Sequence, residues 1–210
     1  MKQVLVILLS ICTFQAVGQQ LRPEIKKLVE EIAEYNELES EHVGYAGMTT
    51  DQYRNFEKLR DKATIEELSQ LLEHKNSVVK GYSSWALADR LYPKLADIFS
   101  EFLRTGETVT AQHGCIVSEG DLAFEFYNRV SYQHFQRTLS LTDSLFFQNQ
   151  LQQLDSVILY SKKRTWLCNQ ALENNNGNPK TYDGIKELAA NKNYSEALVA
   201  LASYQKQSDI

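Results

Sequence analysis

The stretch Ile65–Pro93, IEELSQLLEHKNSVVKGYSSWALADRLYP, predicts two short amphipathic helices joined by a four-residue turn, HKNS. In both halves apolar residues recur at the three- and four-residue spacing of one helix face. Ser77, at the end of the turn, is placed to cap the second helix. We expect Trp85 to be buried, with Leu72, Val79 and Phe102 around it. A single hairpin cannot bury its own apolar face, so this stretch favours a stack of helical hairpins.

Comparison of the chain with itself supports a repeat. A shift of 30 residues places Ile65 on Leu95, and the same shift places Val79 on Val109 and Trp85 on Cys115. Because the apolar positions keep their character, residues 95–115 are predicted to form a second helical pair. This period is shorter than the roughly 40–47 residues usual for HEAT repeats, so the unit would be a compact variant.

The segment LLEHKNSVVKGYSSWALA resembles a short bacterial HEAT-type repeat. The wider segment from EHVGYAG to LADR, with QHGCIVSE, QLDSVILYSK and NYSEALVALASYQKQSDI, is similar to secreted HEAT-like proteins of Bacteroidota, whose function is not established. The resemblance implies an all-α fold, an α-solenoid of stacked antiparallel helical hairpins. It implies no activity and no catalytic residues.

The N-terminus has the order of features found in signal peptides. Lys2 is followed by the apolar run Val4–Ile11, and Ala16-Val17-Gly18 offers the small residues that signal peptidase recognises. We therefore predict cleavage at Gly18–Gln19 and a soluble periplasmic or extracellular product. Cys12 follows Ile11 rather than a small residue, which disfavours a lipid anchor.

Three segments are predicted: a signal peptide (1–18), an N-terminal helical hairpin (19–60) and a HEAT-like region (61–210) that forms a single domain with it. The 210 residues hold 22 Lys and Arg against 27 Asp and Glu, a net charge of −5. That acidity argues against nucleic acid as a partner. No stretch after the signal peptide is long and apolar enough to predict a membrane span.

Further helices are predicted along the chain. One runs over residues 22–40, Thr50 or Thr49 caps the next, and Thr64 caps the first helix of the HEAT-like stretch. Later helices are predicted from Asp121, Thr142 and Lys162, with an ambiguous segment at 130–139. The last hairpin is predicted as 182–191 and 195–204.

Catalytic motifs are missing from the sequence. The four histidines, His42, His74, His113 and His134, show no metal-binding helical spacing, and there is no HExxH, P-loop or G-x-S-x-G. We therefore predict neither a cofactor nor a metal. His113 and Cys115 are the pair on which a metal- or thiol-dependent hydrolase would depend.

Cys115 and Cys168 would survive signal cleavage. In an oxidising compartment they could form a disulfide, but both are predicted on helices with apolar neighbours, which favours two separate buried thiols.

Two surfaces are candidates for partner binding. In the first, Gly44 and Gly47 flank Tyr45, so the backbone can approach a partner closely and the ring can anchor it; alternatively, Tyr45 covers the end of the core. The second is a polar edge of repeat turns, formed by His74, Lys75, Asn76 and Arg104.

The hypothesis that follows is a non-catalytic, exported helical-repeat protein that binds or scaffolds a protein partner. The alternatives are a hydrolase-like enzyme, and an immunity or inhibitor protein that blocks a secreted toxin.

Overall fold

Helices make up most of the described chain, as predicted, but three short strands form a sheet that an all-α fold does not contain. The computed structural model describes residues 20–136, 139–161, 166–175, 177–190 and 194–204. The predicted signal peptide and its cleavage site lie outside the described residues. In chain order the elements are α1 (Pro23–Tyr35), β1 (Leu38–Val43), α2 (Asp51–Lys62), α3 (Ile65–Leu71), α4 (Ser77–Asp89), α5 (Leu95–Thr105), β2 (Thr108–Gly114), β3 (Ile116–Asp121), α6 (Leu122–His134), α7 (Leu141–Ser161), α8 (Trp166–Glu173), α9 (Tyr182–Ala190) and α10 (Ser195–Ala202).

Two predicted helix caps are confirmed. The Thr50 hydroxyl accepts a hydrogen bond from the backbone N–H of Tyr53 at the start of α2. Thr64 and Glu67 form a capping box at the start of α3, in which each side chain accepts from the other residue's backbone N–H. Such caps satisfy N–H groups that have no partner inside the helix.

The cap of α4 differs from the prediction by one residue. Asn76, not Ser77, caps the helix, and its Oδ1 accepts from the backbone N–H groups of Val78 and Val79. Ser77 is the first helical residue and donates to Glu107 Oε1 at 2.7 Å. This bond holds the start of α4 against the connection that follows α5.

The sheet has the strand order β1-β2-β3, with β1 parallel to β2 and β2 antiparallel to β3. β1 lies in the connection between α1 and α2, so the helix predicted over 22–40 ends earlier, at Tyr35, and a strand follows it. β2 and β3 lie in the connection between α5 and α6, so the predicted helical pair at 95–115 contains one helix, α5.

The sequence of β2 explains why this segment is extended. Val109 and Ala111 are buried while their neighbours Thr108 and Thr110 are exposed, which is the two-residue period of a half-buried strand. Gly114 has a φ of 58°, a conformation that glycine adopts without steric cost, and begins the tight turn into β3.

The 30-residue repeat is therefore wrong beyond α5. Val79 lies in a helix and its predicted counterpart Val109 in a strand. Trp85 is buried, whereas Cys115 is exposed in the turn between β2 and β3, so the prediction of a buried helical Cys115 is also wrong. Cys168 is buried in α8, as predicted, and both cysteines are free thiols.

The helices pack mainly against helices near them in the chain. α1 packs on α2, α3 on α4, α7 on α8 and α9 on α10. Contacts between α2 and α4, and between α4 and α6, place these three helices side by side. α7 joins this group to the C-terminal helices through α5, α6 and α9. None of the helices in the described part of the chain is long and apolar enough to cross a membrane.

α4 is the centre of the N-terminal core. A Cβ at Gly81 would lie only 3.0 Å from Cδ1 of Leu38 in β1 and 3.3 Å from Cδ1 of Leu122 in α6, so a larger residue here would require these leucine side chains to shift. At the next residue, the Tyr82 hydroxyl accepts a hydrogen bond from the backbone N–H of Glu39 at 2.8 Å and donates one to its carbonyl at 3.1 Å. Both features hold β1 against α4.

Trp85 is 3% exposed, which confirms its predicted burial. The rings packed edge-on against it are those of Phe56, at 5.9 Å between centroids, and Tyr82, at 5.6 Å. The predicted neighbour Phe102 packs its ring against Phe126 instead.

The C-terminal helices enclose a buried acid. The last hairpin, α9 and α10, is present as predicted. In α7, Asp155 is 6% exposed and accepts a hydrogen bond of 2.7 Å from the Tyr127 hydroxyl, which accepts in turn from Asn174 at 2.9 Å. No cation in the described residues pairs with Asp155. Burial raises the pKa of this carboxyl to about 7.

The two tryptophans provide a matched test of the core. We expect Trp85→Ala to lower the free energy of unfolding by about 3–5 kcal/mol, because it removes a buried ring. Trp166 is 58% exposed and contacts Phe124 edge-on, so Trp166→Ala should cost about 1 kcal/mol. Urea unfolding measures both, and equal losses would contradict this description of the core.

Asp155 should make stability depend on pH. Its pKa is higher in the folded than in the unfolded chain, so the folded state holds the extra proton and stability falls as pH rises from about 4 to about 7. Asp155→Asn keeps an oxygen for Tyr127 without the charge. We expect the variant to match the wild type near pH 4 and to be about 2–4 kcal/mol more stable at pH 8. Unfolding curves with the same pH dependence in both proteins would show that Asp155 is not the cause.

Candidate functional site

Two adjoining pockets form a groove on the face where α2, α4 and α6 lie side by side. The first, here called the apolar pocket, has a volume of about 420 Å³ and is lined by Ser40, Glu41, His42, Trp85, His113, Phe124, Asn128, Arg129 and Tyr132. The second, the charged pocket, has a volume of about 720 Å³ and is lined by Glu41, Tyr53, Glu57, Arg60, Asp61, Asp89, Arg90, Arg129, Tyr132, Gln133, Gln136 and Leu139. They share Glu41, Arg129 and Tyr132 and are therefore continuous.

α6 supplies one face to both pockets. Phe124, Asn128 and Tyr132 are four residues apart, so they follow one side of the helix. Phe135, just past the end of α6, is 74% exposed and Tyr132 is 50% exposed. Phe135 lines neither pocket but lies close to Tyr132 in the chain, and exposed apolar patches often mark interaction sites.

Arg129 forms the floor between the two pockets. Its Nε donates to Oδ1 of Asp89 at 2.8 Å and its Nη2 to Oδ2 at 2.5 Å, in the two-pronged geometry that guanidinium favours. Both side chains are less than one-tenth exposed. Burial by itself lowers the pKa of Arg129, and the bonds to Asp89 more than offset this, so the pKa lies above its ordinary value.

Three aromatic rings and the side-chain amide of Gln133 surround this ion pair. The Arg129 guanidinium lies 5.2–5.6 Å from the ring centroids of Phe56, Trp85 and Tyr132, within cation–π distance. Gln133 Nε2 also donates to Asp89, at 2.6 Å. The ion pair is thus a rigid part of the groove.

His113 lies in the wall of the apolar pocket and pairs with an acid behind it. Its Nε2 lies 2.7 Å from Oε2 of Glu125, which is buried in α6. The Glu125 carboxylate raises the pKa of His113, against the opposite effect of burial. The pair joins β2 to α6, and Nδ1 of the imidazole has no hydrogen-bond partner among the described residues.

β1 closes the other side of the groove. Ser40, Glu41 and His42 line the apolar pocket, and His42 Nε2 lies 3.9 Å from Glu41 Oε1. β1 pairs with β2, a segment far away in the chain, and this pairing helps to place these residues opposite α6.

The predicted Tyr45 loop lies beyond the end of β1. Gly44 and Gly47 have φ values of 69° and 61°, and Val43 and Met48 pair across the turn. Tyr45 is fully exposed at the tip, so it does not cover the core, while Val43 is buried. Gly44 N–H donates to the Gly114 carbonyl at 2.8 Å, which joins this loop to the β2–β3 turn. The Tyr45 loop is outside the groove lining, although residues 40–42 immediately before it belong to that lining.

The predicted polar edge is not part of the groove. His74 is half-buried, and its Nδ1 accepts from the Asn76 backbone N–H at 3.1 Å. Lys75 is exposed. Arg104 is exposed and paired with Glu101 three residues before it. These contacts are local, and neither pocket is lined by these residues.

The structure brings together only some of the catalytic residues that a hydrolase would need. His113 has an orienting acid, Glu125, but Cys115 is exposed in the turn and does not line the pocket. Ser40 lines the pocket, and its hydroxyl donates to the carbonyl of His42 at 3.5 Å rather than to His113. Within the described residues no group of three or more His, Cys, Asp and Glu side chains could hold a metal ion.

Comparison with protein-family models, with curated protein sequences and with solved structures gives no match for this chain.

His113 and His74 should titrate on opposite sides of the ordinary histidine value. The pKa of His113 is raised by Glu125, whereas burial lowers the pKa of His74. His113 therefore stabilises the fold below its unfolded pKa of about 6.5, and this contribution is lost as pH rises through its folded pKa. NMR titration of the imidazole signals measures both values. In Glu125→Gln the His113 pKa should fall while that of His74 stays unchanged; an unchanged His113 would contradict the pairing.

Proposed function

We propose that this protein is a non-catalytic, exported helical-repeat protein that binds an extended segment of a protein partner in the groove. The observation that carries the proposal is the row Phe124, Asn128 and Tyr132 on α6, which connects an apolar pocket with a charged one. An apolar pocket beside fixed polar groups offers both an anchor and orientation for a ligand.

The position of the groove supports a solenoid-like mode of binding. α1–α2, α3–α4, α5–α6, α7–α8 and α9–α10 can be taken as five consecutive hairpins, with β1 inserted in the first and β2–β3 in the third. Contacts mainly between neighbouring hairpins are the rule in solenoids, which bind partners along a surface built by successive repeats. α2, α4 and α6, the second helices of three hairpins, all line the groove.

Two parts of the proposal rest on the sequence. Export rests on the order of Lys2, the apolar run 4–11 and Ala16-Val17-Gly18. Membership of the secreted HEAT-like proteins rests on the resemblance of residues 71–88 and the wider segments. An immunity or inhibitor role would be one form of the same partner binding.

A hydrolase-like activity is the second candidate, and the His113–Glu125 pair in the pocket wall is the observation that favours it. An oriented imidazole is the base that nucleophilic catalysis uses. The first candidate is preferred because neither Cys115 nor Ser40 hydrogen-bonds to that imidazole.

Two exposed tyrosines test where the partner binds. Tyr132 lies in the groove and Tyr45 at the loop tip outside it, so the same substitution at both positions gives matched variants. We expect Tyr132→Ala to weaken partner binding by about 2 kcal/mol, because interface anchors are often aromatic. Neither change should lower the melting temperature by more than a few degrees, since both rings are at least half exposed.

The measurement is affinity capture from an envelope fraction with wild type and both variants, followed by mass spectrometry and titration of the captured partner. Loss with Tyr45→Ala alone would move the binding surface to the Gly44–Gly47 loop. Undiminished capture by both variants would contradict the groove as the partner site.

A further inference from the structure

The two ion pairs at the apolar pocket have the same orientation. Arg129 and His113 line the pocket, whereas their acids, Asp89 and Glu125, do not. At the apolar pocket each pair therefore presents its basic member; Asp89 lines the adjoining charged pocket, whereas Glu125 lines neither. Among the described residues that line this pocket, Glu41 is the one acid, and it lies 3.9 Å from His42.

Hydrogen-bond donors accompany this charge. Asn128 lines the same pocket, as does Ser40, whose hydroxyl donates to the carbonyl of His42 at 3.5 Å. His113 Nε2 faces Glu125, so the other ring nitrogen, Nδ1, points away from that acid and is a donor when the imidazole is protonated. The remaining wall is aromatic, formed by Trp85, Phe124 and Tyr132. A ligand that matches this wall combines an apolar body with an anionic group.

We propose that the apolar pocket binds the C-terminal residue of a partner protein, with its carboxylate facing His113 and Arg129 and its apolar side chain against Phe124 and Tyr132. This specifies the partner segment of the proposed function and rests on the groove being the partner-binding surface. The preceding residues of the partner would extend over Arg129 into the charged pocket.

A chain terminus fits better than an internal acidic residue. A C-terminal apolar residue carries its carboxylate and its side chain on one Cα, so a single residue reaches both the donors and the aromatic wall. An internal Asp or Glu residue supplies a carboxylate, but its own side chain has no apolar group for the aromatic wall. Carboxylates also form short, strong hydrogen bonds with cationic donors, and capture of a C-terminal carboxylate is a recurring mode of peptide recognition.

Two synthetic peptides test this directly: acetyl-Ser-Gly-Ser-Gly-Phe with a free carboxylate, and the same peptide as its C-terminal amide. NMR titration of the full-length exported protein gives the affinity and the location of each. We expect the acid to shift the amide signals of His113, Phe124 and Asn128 and to bind about tenfold tighter than the amide. The small acid 3-phenylpropanoate should bind more weakly than the peptide acid, because it lacks the preceding residues.

Matched variants separate the contribution of charge to peptide binding from that of the aromatic wall. His113→Gln should reduce the preference for the acid to about threefold or less, whereas His74→Gln, at a distant histidine, should retain it. Phe124→Ala should weaken both peptides alike.

Equal binding of acid and amide in the groove would overturn the inference and leave the proposed function standing. Binding of 3-phenylpropanoate as tight as that of the peptide acid would also overturn it, in favour of a free small acid as ligand. If neither peptide shifts groove signals, the terminal-residue proposal fails, and partner capture by the Tyr132 and Tyr45 variants decides the proposed function separately.

Discussion

The buried pair of Arg129 and Asp89 is the interaction on which the N-terminal half of this fold depends. It joins α6 to α4, and the rings of Phe56 and Trp85 around the guanidinium extend the connection to α2. A buried charge without its partner costs far more than the pair contributes to stability, so the three helices are held in one arrangement. That arrangement creates the groove, because both pockets share the Arg129 side chain.

The sheet is the second constraint. β1 carries Glu39, a carboxylate that is 1% exposed and accepts hydrogen bonds from the hydroxyls of Tyr35 and Thr50. Tyr82 of α4 binds the backbone of the same residue. A buried carboxylate needs such partners, so this one position ties β1 to α1, α2 and α4 and places residues 40–42 beside α6.

Local patterns in the sequence predict the parts of the fold that local physics determines. The caps at Thr50 and Thr64 depend on residues within a few positions of each other, and the burial of Trp85 and the hairpin α9–α10 were readable from the apolar periodicity of single helices. β1 is different: its sequence, LESEHV, has no apolar alternation, and Glu39 is buried only because distant hydroxyls bind it. β2 has a strand pattern at Val109 and Ala111, but the 30-residue shift that aligns Val109 with the helical residue Val79 favoured a helix instead. The groove was not predictable, since Glu41, Asp89 and Arg129 are separated in sequence and meet only through tertiary packing.

Pairing between β1 and β2 has a consequence for the order in which the chain can fold. Leu38 pairs with Ala111, and α2, α3, α4 and α5 all lie between these two residues. Until β2 has been synthesised, the backbone of β1 has no strand beside it. The Glu39 carboxylate then depends for its hydrogen bonds on Tyr35 of α1 and Thr50 at the start of α2. A chain synthesised from its N-terminus therefore leaves β1 unpaired while α2, α3, α4 and α5 are made. Long-range strand pairing of this kind is slow and leaves an edge open to other chains. The segment Leu38–Val43 is thus an unpaired strand in the nascent protein until β2 has been made.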